Sequence, residues 1–104
     1  MKIKNINELP IKDNPHKADV RMMLKSDKFQ VMHLSLEPGQ ALKPHVTPVE
    51  AFFYVLEGEP EVEILDEREV VKANSVVHSP ANMKHCIYNP GDKPARVLVV
   101  KAGE

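Results

Sequence analysis

Nine prolines are spread along the chain from Pro10 to Pro94, and their scatter constrains the fold more than any other feature. Proline removes a backbone donor and clashes with the preceding turn, so it ends or kinks a helix. No helical periodicity is sustained over several turns. The chain instead shows short apolar runs closed by turn residues, the pattern of an all-β sandwich or barrel. Residues 29–36, "FQVMHLSL", stop at Pro38-Gly39, and residues 51–56, "AFFYVL", stop at Glu57-Gly58. In "EVEIL" (61–65), Val62 and Ile64 share one face and Glu61 and Glu63 the other. Asp66 and Glu67 suit a hairpin tip, with residues 68–72 returning. "SVVHS" (75–79), residues 84–88 and the closing "RVLVV" (96–100) complete the strands, the last two separated by the turn-rich "NPGDKPA". "KADVRMML", before Asp27, reads as either a strand or a short helix. The acidic run Glu57, Glu59, Glu61, Glu63 has the strand period of two, which makes it a solvated face and not a cation site.

A chain of 104 residues is enough for one domain, expected over residues 1–104, and too short for two. With 14 basic and 15 acidic residues, the composition gives no support for the basic face that nucleic acid or an anionic membrane requires, and neither is expected as a partner. Near-neutral charge favours self-association. Cys86 is the only cysteine, which excludes an internal disulfide and a thiolate-rich metal site. Its neighbour His85 faces the other way in a strand, so Cys86 reads as a small buried hydrophobe. No apolar run has the length of a signal peptide or membrane helix, so a cytoplasmic protein is expected.

Two longer stretches carry a resemblance. "PGQALKPHVTPVEAFFYVLEGE" resembles the first motif of the cupin family, with Gly39, His45 and Gly58 in register. "ANSVVHSPANMKHCIYNPGDKPARVLVV" resembles the second, with Pro80, His85 and Asn89 at the matching spacing. Asn74 and Asn82 stand where that motif has glycines, a mild change because Asn tolerates left-handed backbone. The resemblance implies a jelly-roll β-barrel with its core over about residues 29–101 and a pocket inside. Residues 1–28 would then pack on the barrel or at a dimer interface.

Cupin metal sites typically take two histidines and a glutamate from the first motif and one histidine from the second. Here the second histidine position is Thr47 and the glutamate position is Ala51. That leaves His45 and His85 for a divalent zinc, nickel, manganese, iron or copper ion. Glu50 is one residue early, and only a bulge between Thr47 and Ala51 turns it inward. His78 is a further candidate ligand and His33 a further candidate for the pocket, both of undetermined strand parity. Thr47 and Asn89 are expected at the cavity or its edge. Ala51, Phe53 and Val55 are expected inside, leaving Phe52 and Tyr54 to be covered by the N-terminal segment or by a second copy in a homodimer.

Three functions remain open from the sequence. One is a metal-dependent enzyme of dioxygenase or isomerase type on His45 and His85. Another is a metal-free, epimerase-like enzyme, which needs a carboxylate orienting a histidine base and a tyrosine acid, with Tyr54 and Tyr88 the only tyrosines. The third is a module that binds a small molecule without transforming it. Loss of two ligand positions fits the third without a replacement donor.

Overall fold

The computed structural model describes residues 1–103. Nine strands follow a 3-10 turn at Ile6–Glu8: β1 (Asp19–Lys25), β2 (Phe29–Leu36), β3 (Ala41–Val46), β4 (Ala51–Glu57), β5 (Glu61–Ile64), β6 (Glu67–Val70), β7 (Val76–Ser79), β8 (Lys84–Tyr88) and β9 (Ala95–Ala102). They form a five-stranded sheet, β1-β2-β9-β4-β7, and a four-stranded sheet, β3-β8-β5-β6. Every pairing is antiparallel. The two sheets close on each other as a jelly-roll barrel, so the alternating apolar residues of each meet in one core.

Strand parity selects that core. Met32, Leu34 and Leu36 of β2, Phe53 of β4, and Val97 and Val99 of β9 point in from the larger sheet. Leu42, Val62 and Ile87 answer from the smaller. Full burial of an aliphatic or Phe side chain of this kind contributes roughly 1.5–3 kcal/mol. The acidic strand faces stay outside, where Glu61 and Glu63 flank Arg68 at 3.5 and 3.1 Å. Surface pairs of this sort contribute little to stability.

Tight turns join the strands where the chain takes left-handed backbone. Gly58 (φ +82°) is the most constrained, because a Cβ there would lie 2.7 Å from the Pro94 carbonyl oxygen and 2.8 Å from Ala95 Cα. Asn74 and Asn82, the two glycine replacements, also sit at positive φ, 68° and 65°. Asparagine is among the few side chains that take this conformation readily.

Several boundaries differ from the sequence reading. "KADVRMML" is a strand: Asp19–Lys25 pairs with β2, so the framework starts well before residue 29. The hairpin tip is Leu65-Asp66, and Glu67 already pairs with Ile64 in β6. Left-handed Leu65 (φ 55°) makes the turn there, a conformation that sequence disfavours and the β5–β6 register imposes. The N-terminal segment lies against the barrel. Arg21 on β1 is held by Asp19 at 2.9 Å, and its Nη1 donates to the carbonyls of Ile6 (2.9 Å) and Leu9 (3.3 Å).

Candidate functional site

β3 pairs with β8 so that His45 stands directly opposite His85. The ladder shifts register between Leu42 and His45, across Pro44, which has no N–H to pair. This bulge lets both Leu42 and His45 face the barrel although their numbers differ in parity. It also frees the backbone of Lys43, and two imidazoles take it up. The Lys43 N–H donates to His16 Nδ1 at 2.8 Å, and His45 Nδ1 bonds the Lys43 carbonyl at 2.8 Å.

These partners determine the neutral tautomers. A carbonyl only accepts, so His45 carries its proton on Nδ1 and presents Nε2 as an acceptor. His85 Nε2 lies 3.0 Å from that atom, so its Nε2–H is the donor. His85 Nδ1 then accepts from the Ser79 hydroxyl at 3.1 Å. The chain Ser79–His85–His45–Lys43 is therefore fully bonded with both rings neutral. Burial, the neighbouring His45 and Lys101 push the His85 pKa down to about 4. Phe53 packs edge-on against His85 with ring centroids 5.3 Å apart, and Thr47 Oγ1 stands 3.4 Å from His85 Nε2.

Beside this chain opens a cavity of about 240 Å3. Its apolar wall is Val20, Met32, Leu34, Leu42 and Val99, and its polar edge holds His45, His85, Lys101 and residues 12–16. The last come from a loop that Asn14 braces, accepting from the His16 N–H (3.0 Å) and donating to the carbonyls of Lys12 (2.8 Å) and Ala18 (3.0 Å). His16 thereby sits beside His45, ring centroids 5.3 Å apart.

Of the residues singled out from sequence, His45, His85 and Thr47 come together here. Ala51, Phe53 and Val55 are buried on the inward face, but they pack into the core and do not line this cavity. Asn89 belongs elsewhere. Its buried amide donates to the carbonyls of Leu36 (2.9 Å) and Lys93 (2.8 Å) and accepts from the Gly91 N–H (3.0 Å), locking the β8–β9 turn. Glu50 and His78 meet each other at 2.7 Å on the exposed side of β4 and β7. The bulge that would have turned Glu50 inward is in β3, so neither group reaches His45 or His85. His33 faces outward under the N-terminal segment, where its Nε2 accepts from Arg96 Nε at 3.1 Å. Cys86 is half-buried on the far side of β8, opposite Glu63, and burial raises its thiol pKa.

Residues 32–101 match the family model described as "Cupin domain". The chain belongs to the cupin family. The TT1209 protein of Thermus thermophilus is 32% identical to this cupin, with a TM-score of 0.85 over 99% of this chain and 98% of that one. The polyketide cyclase RemF of Streptomyces resistomycificus is 23% identical, TM-score 0.87, covering 100% and 80% of the two chains, a likeness of fold alone. Among curated relatives, polyketide synthase CurC of Streptomyces cyaneus is 34% identical over 61% of this chain and 42% of its own length. A mannose-1-phosphate guanylyltransferase of Salmonella montevideo is 27% identical over 74% of this chain. This cupin spans only 17% of that enzyme.

The metal that cupins often hold can be tested against these donors. His45 and His85 are two imidazoles whose Nε2 atoms face each other, a beginning of a site. Thr47 and Ala51 supply nothing further. His16 is the nearest additional ring, but its Nδ1 lone pair is committed to the Lys43 N–H, which leaves the proton on Nε2 and no lone pair there. Among the described residues no group of three or more His, Cys, Asp or Glu side chains is placed to hold a metal ion. The donor set does not fit a resident metal.

Sequence reading missed Lys101 and His16. Lys101 had a signal: it continues the inward parity of Val97 and Val99. His16 had none, because only the tertiary path of the loop brings it to the barrel mouth.

Proposed function

We propose that this cupin is a cytoplasmic protein that binds a small organic molecule in the barrel cavity beside His45 and His85. The observation that carries this reading is the cavity itself: an apolar wall with a few convergent polar groups along one edge, the usual make-up of a small-molecule site. Catalysis by a histidine base finds less support. Among the described residues no carboxylate bonds to His45 or His85, and neither Tyr54 nor Tyr88 lines the cavity. The relatives' names cover polyketide and sugar-nucleotide chemistry alike, and a shared barrel does not choose between them. Among the described residues no helix is long and apolar enough to cross a membrane.

A metal-dependent enzyme is the second reading, favoured by the 3.0 Å approach of the two Nε2 atoms. It requires donors from outside the described residues. Ligand-observed NMR with a library of small organic molecules tests the first reading. Hits that lose their signal in a Val99→Phe variant, which fills the cavity, support it. Hits unchanged by that variant place binding elsewhere and refute it.

A further inference from the structure

The polar edge of the cavity is unusual in its charge. Lys12, His16, His45, His85 and Lys101 stand along it against one carboxylate, Asp13. Lys101 is half-buried at the inward position beyond Val99, and among the described residues no carboxylate lies within salt-bridge distance of it or of Lys12. The two ammonium groups feel each other: burial and Lys12 both lower the Lys101 pKa. Lys101 in turn helps to lower the pKa of His85 and of His16. A partly desolvated cation with a like-charged neighbour and no carboxylate partner among the described residues favours an anion from solution.

The neighbouring donor has the same bias. His16 accepts from the Lys43 N–H through Nδ1, so its neutral ring carries a proton on Nε2. That N–H bonds no described residue. His45 Nε2, an acceptor on the same edge, is already engaged by His85. The edge of the cavity thus offers two donors that no described residue engages, the Lys101 ammonium and the His16 Nε2–H, next to an apolar wall.

We infer that the ligand of this cavity is a small amphiphilic monocarboxylate, its acid group between Lys101 and His16 and its hydrocarbon body against Val20, Met32, Leu34, Leu42 and Val99. The inference rests on the proposed cavity-binding role and specifies its ligand. Two carboxylate oxygens match two donors, and a charge-assisted contact is stronger than its neutral counterpart. An uncharged amide of the same length keeps the apolar contact and loses the ion pair.

The test is calorimetric titration of the unmodified protein near neutral pH with hexanoate and with hexanamide, and likewise with benzoate and benzamide. The acids are expected to bind about ten-fold or more tighter than their amides. Lys101→Met is expected to erase that preference and Lys101→Arg to retain it, with circular dichroism checking that each variant is folded. Equal binding of acid and amide by the unmodified protein overturns the carboxylate assignment and leaves the cavity reading standing. No binding of either member of both pairs overturns both. The acid–amide comparison needs no variant, so it decides even if Lys101→Met fails to fold.

Discussion

Lowering the pH should unfold the metal-free protein through His85. The ring is 3% exposed, its Nδ1 accepts from Ser79, and its Nε2–H donates to His45. A second proton would have to displace the Ser79 hydrogen and place a charge beside His45 and Lys101. The folded pKa is accordingly about 4, against 6.5 in the unfolded chain. Above 6.5 both states are neutral at this residue and nothing changes with pH. Between 6.5 and 4 the unfolded chain takes up the proton first, so stability falls as pH falls. At about 1.4 kcal/mol per pH unit, the loss is roughly 2 kcal/mol by about pH 5 and about 3 kcal/mol below pH 4. Burial also lowers the His16 and His33 pKa values, so their effect has the same sign and must be subtracted. Urea unfolding followed by far-UV circular dichroism, for wild type and His85→Gln at about pH 7.5 and about pH 5, does this. Gln keeps a donor for His45 and never ionises. The wild type should lose about 2 kcal/mol more than the variant over this interval, with unchanged denaturant slopes. Parallel losses in the two proteins would show that His85 is protonated in the fold at little cost, and would refute the bonded neutral chain.

Three further outcomes follow from the same geometry. Gly58→Ala combines a left-handed backbone penalty with backbone contacts of 2.7 and 2.8 Å, and should cost about 3 kcal/mol. Gly39→Ala shares the positive φ but meets nothing within 4 Å, and should cost about 1 kcal/mol. Equal losses in thermal or urea unfolding would refute the close-approach argument. Purified protein loaded with zinc, nickel, manganese, iron or copper and then desalted should retain far less than one ion per chain by elemental analysis; near one ion, lost in a His45→Ala, His85→Ala double variant, would reverse the donor-set conclusion. The N-terminal segment reaches the outer face around Val31, His33, Leu56 and Leu98, leaving Phe29, Phe52 and Val76 exposed. A second copy of the chain is expected on that face. Light scattering should give the mass of two chains and Phe52→Glu the mass of one, and a monomeric wild type at high concentration would remove this expectation.

Much of the architecture was legible in the residues because β-structure repeats every two positions. The period of two groups Ala51, Phe53 and Val55 on one face of "AFFYVL", and the expected barrel pocket places that face inside; "RVLVV", apolar at four successive positions, was legible as a strand but not sided. The same rule reads the acidic run as a solvated face, whereas Asn74 and Asn82 were legible only as replacements of the two glycines of the resembled motif. What depends on how one strand meets another was not legible. A bulge is a property of a pair of strands, so Pro44 marked an irregularity in β3 but not that the register shift between Leu42 and His45 would aim His45 inward. For the same reason Glu50, His78 and His33 could not be sided from sequence, and Asn89 read as pocket when its amide was needed for two backbone groups of the β8–β9 turn and the Leu36 carbonyl at the end of β2. The sequence by itself determined an all-β chain, and its resemblance to the two cupin motifs placed His45 and His85 inside a barrel. The tertiary structure decided that their nitrogens bond each other, that His16 arrives from a loop far away in the chain, and that Lys101 stands beside them with no carboxylate partner among the described residues. Distances between residues remote in sequence exist only once the sheets have closed, and the character of the site lies in those distances.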